Sequence, residues 1–96
     1  MIRHTVVFVL KHPEGSLPEQ GFLRDAKVLA TIPGVEKFEQ LRQVSAKNDF
    51  RFGFSMEFAD KKAYDGYDRH PKHVTFVQDR WNREVDEFIE IDYEPL

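Results

Sequence analysis

The sequence predicts an α+β domain in which a four-stranded antiparallel sheet carries its helices on one face, in the order β-α-β-β-α-(α)-β. Three observations lead there. Phe50, Phe52, Phe54, Met56 and Phe58 alternate with polar or small residues at the period of a strand. Two stretches, Ser16 to Ile32 and Asp60 to Arg83, carry apolar residues at helical spacing and are bounded by capping or breaking residues. The first and last apolar runs, near Ile2 to Leu10 and Val85 to Tyr93, are short enough to be strands. At 96 residues the chain makes one domain, residues 1–96, since two cores would each be too small to fold.

In the first strand, Ile2, His4, Val6, Phe8 and Leu10 fall on one face and Thr5, Val7 and Val9 on the other. Apolar residues on both faces call for two covers, helices on one side and a partner sheet on the other. Lys11 to Gly15, with its His12-Pro13, reads as a loop. Ser16-Leu-Pro-Glu19 has the form of a capping box and starts a helix. Its expected buried stripe is Phe22, Leu23, Ala26, Leu29 and Ala30, with Glu19, Arg24, Asp25 and Lys27 toward solvent. Pro33-Gly34 stops it.

Val35 to Val44 reads as the second strand, with Phe38 and Val44 on one face, and Ser45 to Asp49 as a polar turn. The third strand follows, its aromatic face toward the helices and Gly53 opposite, where a bulge or a close backbone approach is expected. Asp60 is the expected N-cap of the next helix, in which Ala63, Tyr64 and Tyr67 share a face. Pro71 disfavours the α conformation at His70 yet suits a first helical turn, so one helix ends near Arg69 and another runs from Pro71 to about Asn82 or Arg83. In this last helix His73, Phe76, Val77, Arg80 and Trp81 form a single face. The closing strand places Val85, Ile89, Ile91 and Tyr93 on one face and Phe88 on the other, and Pro95 ends it.

This order is that of the ferredoxin-like fold. It leaves Val7 and Val9 on an uncovered apolar face, which two copies packed sheet to sheet would bury. A homodimer through the open sheet face is therefore expected. Net charge is -3 with acids and bases interspersed, so neither nucleic acid nor an anionic lipid surface is an expected partner. No run is long and apolar enough for a membrane span, and the opening residues lack the tripartite pattern of a secretory signal. Without cysteine there is no disulfide or thiolate site, which suits a reducing compartment, and a cytoplasmic location is expected.

The stretch from Tyr67 to Phe76 concentrates the chemistry: a phenol and two imidazoles around one proline. On an inward face, His73 can serve as a general base and Tyr67 as a hydrogen-bond donor. Phe52, Phe54, Val77 and Trp81 are the expected apolar walls of a pocket for a small apolar or aromatic ligand, with His4 near it. Such acid/base work needs no cofactor. A metal site from His70 and His73 is disfavoured by the intervening Pro71 and the lack of a third ligand at suitable spacing. Ordinary structural roles stand beside these: His73 as a satisfied core histidine, Tyr67 as a core ring with its hydroxyl tied off, His70 as a junction residue bonded to nearby backbone.

The opening Ile2-Arg-His4-Thr-Val-Val-Phe, the Ile32-Pro-Gly-Val35 junction, Asn48-Asp-Phe-Arg-Phe-Gly53, Met56-Glu-Phe58, Tyr67-x-x-His70-Pro-x-His73 and the closing Asp92-Tyr93 resemble the stress-responsive dimeric α/β-barrel (Dabb) domain over nearly the whole chain. The resemblance implies a homodimer whose two sheets form one barrel. It also implies, by similarity to polyketide cyclases of the plant olivetolic acid cyclase type, aldol ring closure by Tyr67 and His73 with His4 and His70 near the substrate. Where the plant enzyme has a pocket histidine on the third strand, this sequence carries Phe52. Some relatives hold a cation on backbone carbonyls after the first helix, around Leu29, Ile32 and Val35 here. Other members are stress-induced proteins without assigned chemistry, so a non-catalytic, ligand-binding or stress-tolerance homodimer is the alternative expectation. An oxygenase of shared fold would rest on fold analogy alone.

Overall fold

The computed structural model describes residues 1–96. Strand β1 (Ile2–Leu10) is followed by helix α1 (Leu17–Asp25), a 3-10 segment (Ala26–Thr31), β2 (Glu36–Arg42), β3 (Phe52–Phe58), α2 (Lys61–Arg69), α3 (Pro71–Phe76), a π-helical turn (Val77–Trp81), the short α4 (Asn82–Glu84) and β4 (Val85–Tyr93). All strand pairs are antiparallel, in the order β2-β3-β1-β4. This is the ferredoxin-like arrangement, and its shortest dimension, 18 Å, is that of one sheet under one layer of helices.

Capping chemistry fixes the helix ends. The Ser16 hydroxyl accepts from the Glu19 amide (3.3 Å) and the Asp60 carboxylate from the Ala63 amide (2.8 Å). His70 ends α2 with extended backbone and caps α3, its Nδ1 accepting from the Lys72 amide at 3.1 Å, with Pro71 in the first turn. Gly34, at φ 91°, makes the left-handed turn after the 3-10 segment, and a Cβ there would lie 3.3 Å from Ala63 Cβ on α2.

The core forms between the helices and the aromatic face of β1 and β3. Phe8, Phe22, Met56 and Phe58 are fully enclosed, and Phe8 meets Phe22, Phe52, Phe54 and Trp81 at centroid separations between 4.8 and 5.9 Å. The predicted faces of β1 are as observed: His4, Val6, Phe8 and Leu10 are buried and the alternating residues half-covered. Gly53 sits in unbroken register opposite Val7, where an added Cβ would lie 3.4 Å from the Val6 carbonyl, so it marks a close approach and no bulge.

Several expectations need correction. Glu19 is 5% exposed, because its carboxylate turns back to accept from the Gly15 amide at 2.9 Å; Ala30, expected inside, is exposed after the helix tightens to 3-10 geometry. Val44 lies beyond the end of β2 and is exposed, leaving Phe38 and Gln40 as the inward residues of that strand. Lys37 at φ 52° accompanies a register shift there. Val85 faces the core rather than sharing the face of Ile89 and Ile91, because the β1–β4 register shifts between Val9 and Leu10 and reverses the alternation.

The other sheet face is bare. Ile89, Ile91 and Tyr93 are 48%, 43% and 54% exposed, and Ile89 and Ile91 lie beside the half-covered Val7 and Thr5. None of the helices is long and apolar enough to cross a membrane.

Candidate functional site

A cavity of about 220 Å³ opens between the helical layer and the β1–β4 half of the sheet. Its floor is the sheet, through His4, Val6, Phe54 and Met56; its walls are Tyr67 from α2 and His73, Phe76, Val77 and Trp81 from α3 and the π turn. Asp68, Asn82, Phe88 and Glu90, all exposed, form the mouth. The proline break between α2 and α3 turns the last turn of one helix toward the first turn of the next, and this brings the Tyr67 and His73 rings to 4.5 Å between centroids.

Tyr67 is 2% exposed, yet its hydroxyl has no hydrogen-bond partner in the chain. Because no enclosed side-chain oxygen or nitrogen is left unpaired, that hydroxyl opens onto the cavity. Burial, reinforced by the negative charges of Asp68 and Glu90, pushes the phenol well above the ordinary range, so it stays a proton donor at all physiological pH values. His73 Nδ1 donates to the Asp68 carbonyl at 2.9 Å. A carbonyl can only accept, so Nδ1 carries the proton and the neutral ring keeps its lone pair at Nε2.

His4 is oriented in the same way from the sheet side. Its Nδ1 donates to Asp92 Oδ1 at 2.6 Å, and the Tyr64 hydroxyl lies 2.8 Å from that nitrogen while donating to Asp92 Oδ2 at 2.8 Å. Tyr64 is itself held by stacking on Phe58, centroids 5.0 Å apart and 11° from parallel. Burial first, then the hydrogen bond to Asp92, raises its phenol far above the usual value. His4 thus also presents Nε2, with its ring 6.1 Å from Tyr67.

Of the residues expected from sequence, His4, Phe54, Tyr67, His73, Val77 and Trp81 meet in this one cavity. Two do not. Phe52 is two residues further along β3, roughly 7 Å away by strand rise, and packs on Phe8 under the Arg42 guanidinium. His70 spends its ring nitrogen on the Lys72 amide and does not line the cavity. The Leu29 and Ile32 carbonyls accept from the Ile32 and Val35 amides, closing the turn after the first helix. Sequence reasoning missed Asp68, Asn82 and Glu90 at the mouth and the Tyr64–Asp92 pair behind His4. The alternation of β4 held one signal: Phe88, Glu90 and Asp92 share a parity, and Phe88 was already assigned to the face opposite Ile89.

No curated protein matches the chain by sequence. Solved structures do. A Dabb family protein with a ferredoxin-like fold from Mesorhizobium loti is 64% identical, with a TM-score of 0.98 over 99% of this chain and 96% of that one. A dimeric ferredoxin-like protein of unknown function from Bacteroides fragilis is 19% identical, with a TM-score of 0.74 over 97% and 94%. The hydroxynitrile lyase of Passiflora edulis is 11% identical, with a TM-score of 0.81 over 96% and 90%, a likeness of fold alone. The stress responsive A/B barrel domain matches residues 2–95, and with this sheet order and near-complete coverage the chain belongs to that family, Dabb.

Proposed function

We propose that the chain is a small acid/base catalyst of polyketide cyclase-like aldol chemistry, acting without a cofactor on a small apolar or aromatic substrate. The observation that carries this reading is a pair of unpartnered polar atoms, the Tyr67 hydroxyl and His73 Nε2, on rings 4.5 Å apart in one largely apolar cavity. His73 Nε2 takes the proton from a carbon flanked by two carbonyls. The C–H electrons become an enolate, whose carbon attacks a second carbonyl of the same molecule; the carbon–carbon bond forms as that carbonyl's π pair moves to oxygen. Tyr67 donates a hydrogen bond to this oxygen as its charge grows, and the His73 imidazolium returns the proton to it. His4 and the apolar walls Phe54, Val77 and Trp81 hold the substrate.

We also infer that the working form is a homodimer joined through the bare sheet face, which leaves the cavity, on the helical side, within each protomer. The dimeric Bacteroides fragilis neighbour and the exposed Ile89, Ile91 and Tyr93 support this.

The test of the chemistry is incubation with linear poly-β-ketones, as acids or thioesters, and chromatography of the cyclised products. Wild type should shift the product ratio from the spontaneous one. His73→Ala should lose that shift by about 10²- to 10⁴-fold in rate, and Tyr67→Phe by about 10²- to 10³-fold. Product ratios identical with wild type, His73→Ala and no protein would sink the catalytic reading. Saturable binding without turnover would then assign the cavity to ligand binding.

A further inference from the structure

The cavity has a sign as well as a shape. Asp68 and Glu90 stand at its mouth, and none of its lining residues is lysine or arginine. The cations on the helices around it point elsewhere: Arg80 pairs with Glu84 and Asp25, Lys72 with the Thr31 hydroxyl at 2.9 Å, Lys61 with Asp65. Below the carboxylates lies the Tyr67 hydroxyl, on a side chain 98% buried and unpartnered, open to the cavity and able to accept as well as donate. Aromatic faces line the same space, with Trp81 and Phe88 edge to face at 5.5 Å.

We propose that the cavity selects a small cationic ligand, an amine whose ammonium sits between Asp68 and Glu90 at the mouth while its apolar or aromatic body fills the space beneath. Two carboxylates at a partly desolvated opening attract a cation and repel an anion. The ammonium has three protons to give, to the carboxylates and the Tyr67 oxygen, and aromatic faces add attraction for a cation. The upward push that Asp68 and Glu90 exert on the Tyr67 phenol is an internal sign that the potential here is negative. This inference rests on the reading of the cavity as a small-molecule site. It narrows the substrate class to molecules carrying a basic nitrogen, and disfavours those carrying a free carboxylate or phosphate.

The experiment compares benzylamine, benzyl alcohol and benzoate, one ring with three charges, binding to the full-length protein at neutral pH. Amide chemical shifts of residues 67–82 and 88–90 report the site. Benzylammonium should bind about tenfold more tightly than benzyl alcohol at low salt, and benzoate more weakly than either. The preference should fall to within about twofold in Asp68→Asn/Glu90→Gln and at about 0.5 M salt. Both positions are exposed, so this variant keeps its fold, which its melting curve checks. Equal affinity for the amine and the alcohol, or a preference that survives the double substitution, overturns the charge inference and leaves the cavity as a site. Absence of shift changes at the cavity with all three probes overturns both readings.

Discussion

Replacing Ile89 and Ile91 by aspartate should separate the dimer. Their side chains stand 48% and 43% exposed on the bare sheet face, beside Val7 and Thr5. Fully burying an isoleucine contributes roughly 1.5–3 kcal/mol, and about half of each is still open, so each would gain about 1 kcal/mol on pairing. A two-fold interface uses every position twice, which makes four such burials and about 4 kcal/mol. That is roughly three orders of magnitude in the dimer dissociation constant, a lower bound because the aspartates must also be desolvated. Sedimentation equilibrium across a wide concentration range reads the constant directly, and the melting temperature of wild type, unlike the variant's, should rise with concentration. Val74→Asp, an exposed apolar residue on α3, is the control and should leave the dimer intact. A dissociation constant for the double variant within tenfold of wild type would refute the assignment of this face.

Two further outcomes follow from the site. Titration of phenol absorbance should find Tyr64 and Tyr67 still protonated well past pH 10, because both are raised, chiefly by burial. The unfolded phenols ionise near pH 10, so the native state binds more protons above that pH. The stabilisation linked to these two groups is therefore complete below pH 10 and lost as pH rises through their folded values; chemical denaturation at stepped pH should show unchanged slopes for Tyr67→Phe up to pH 10 and a shallower decline above it. His70→Ala should cost about 1 kcal/mol of stability through the lost cap, while benzylamine affinity stays within twofold; a larger loss of binding would return His70 to the site.

The architecture could be read from sequence where local chemistry and periodicity agree. Asp60, Pro71 and the Phe52 to Phe58 alternation each specify an element without reference to anything distant. The Tyr67 and His73 encounter was legible for the same reason, since one proline sets the angle between two adjacent helical turns. What escaped depends on register or on partners far along the chain. Val85 reverses its face through one irregularity in pairing with β1. Glu90 and Asp92 reach the site only because β4 lies beside β1, a neighbour relation between residues some ninety apart. Phe52 shares the parity of Phe54, and only the position of the cavity along the strands separates them. Glu19 looks like any helical acid until its reach back to Gly15 is seen.

The π turn at Val77–Trp81 makes chain length part of the site's specification. A π turn holds one residue more than the α turn it replaces. Deleting a residue between Val77 and Trp81 would let the stretch close as ordinary α-helix, and everything after it would rotate by about 100° about the helix axis. Trp81 would swing away from Phe8, Phe54 and Phe88, and the wall that Val77, Trp81 and Asn82 now build around the cavity would open. Members of the family that are one residue shorter here are thus expected to differ in what they admit, even where every aromatic residue is retained.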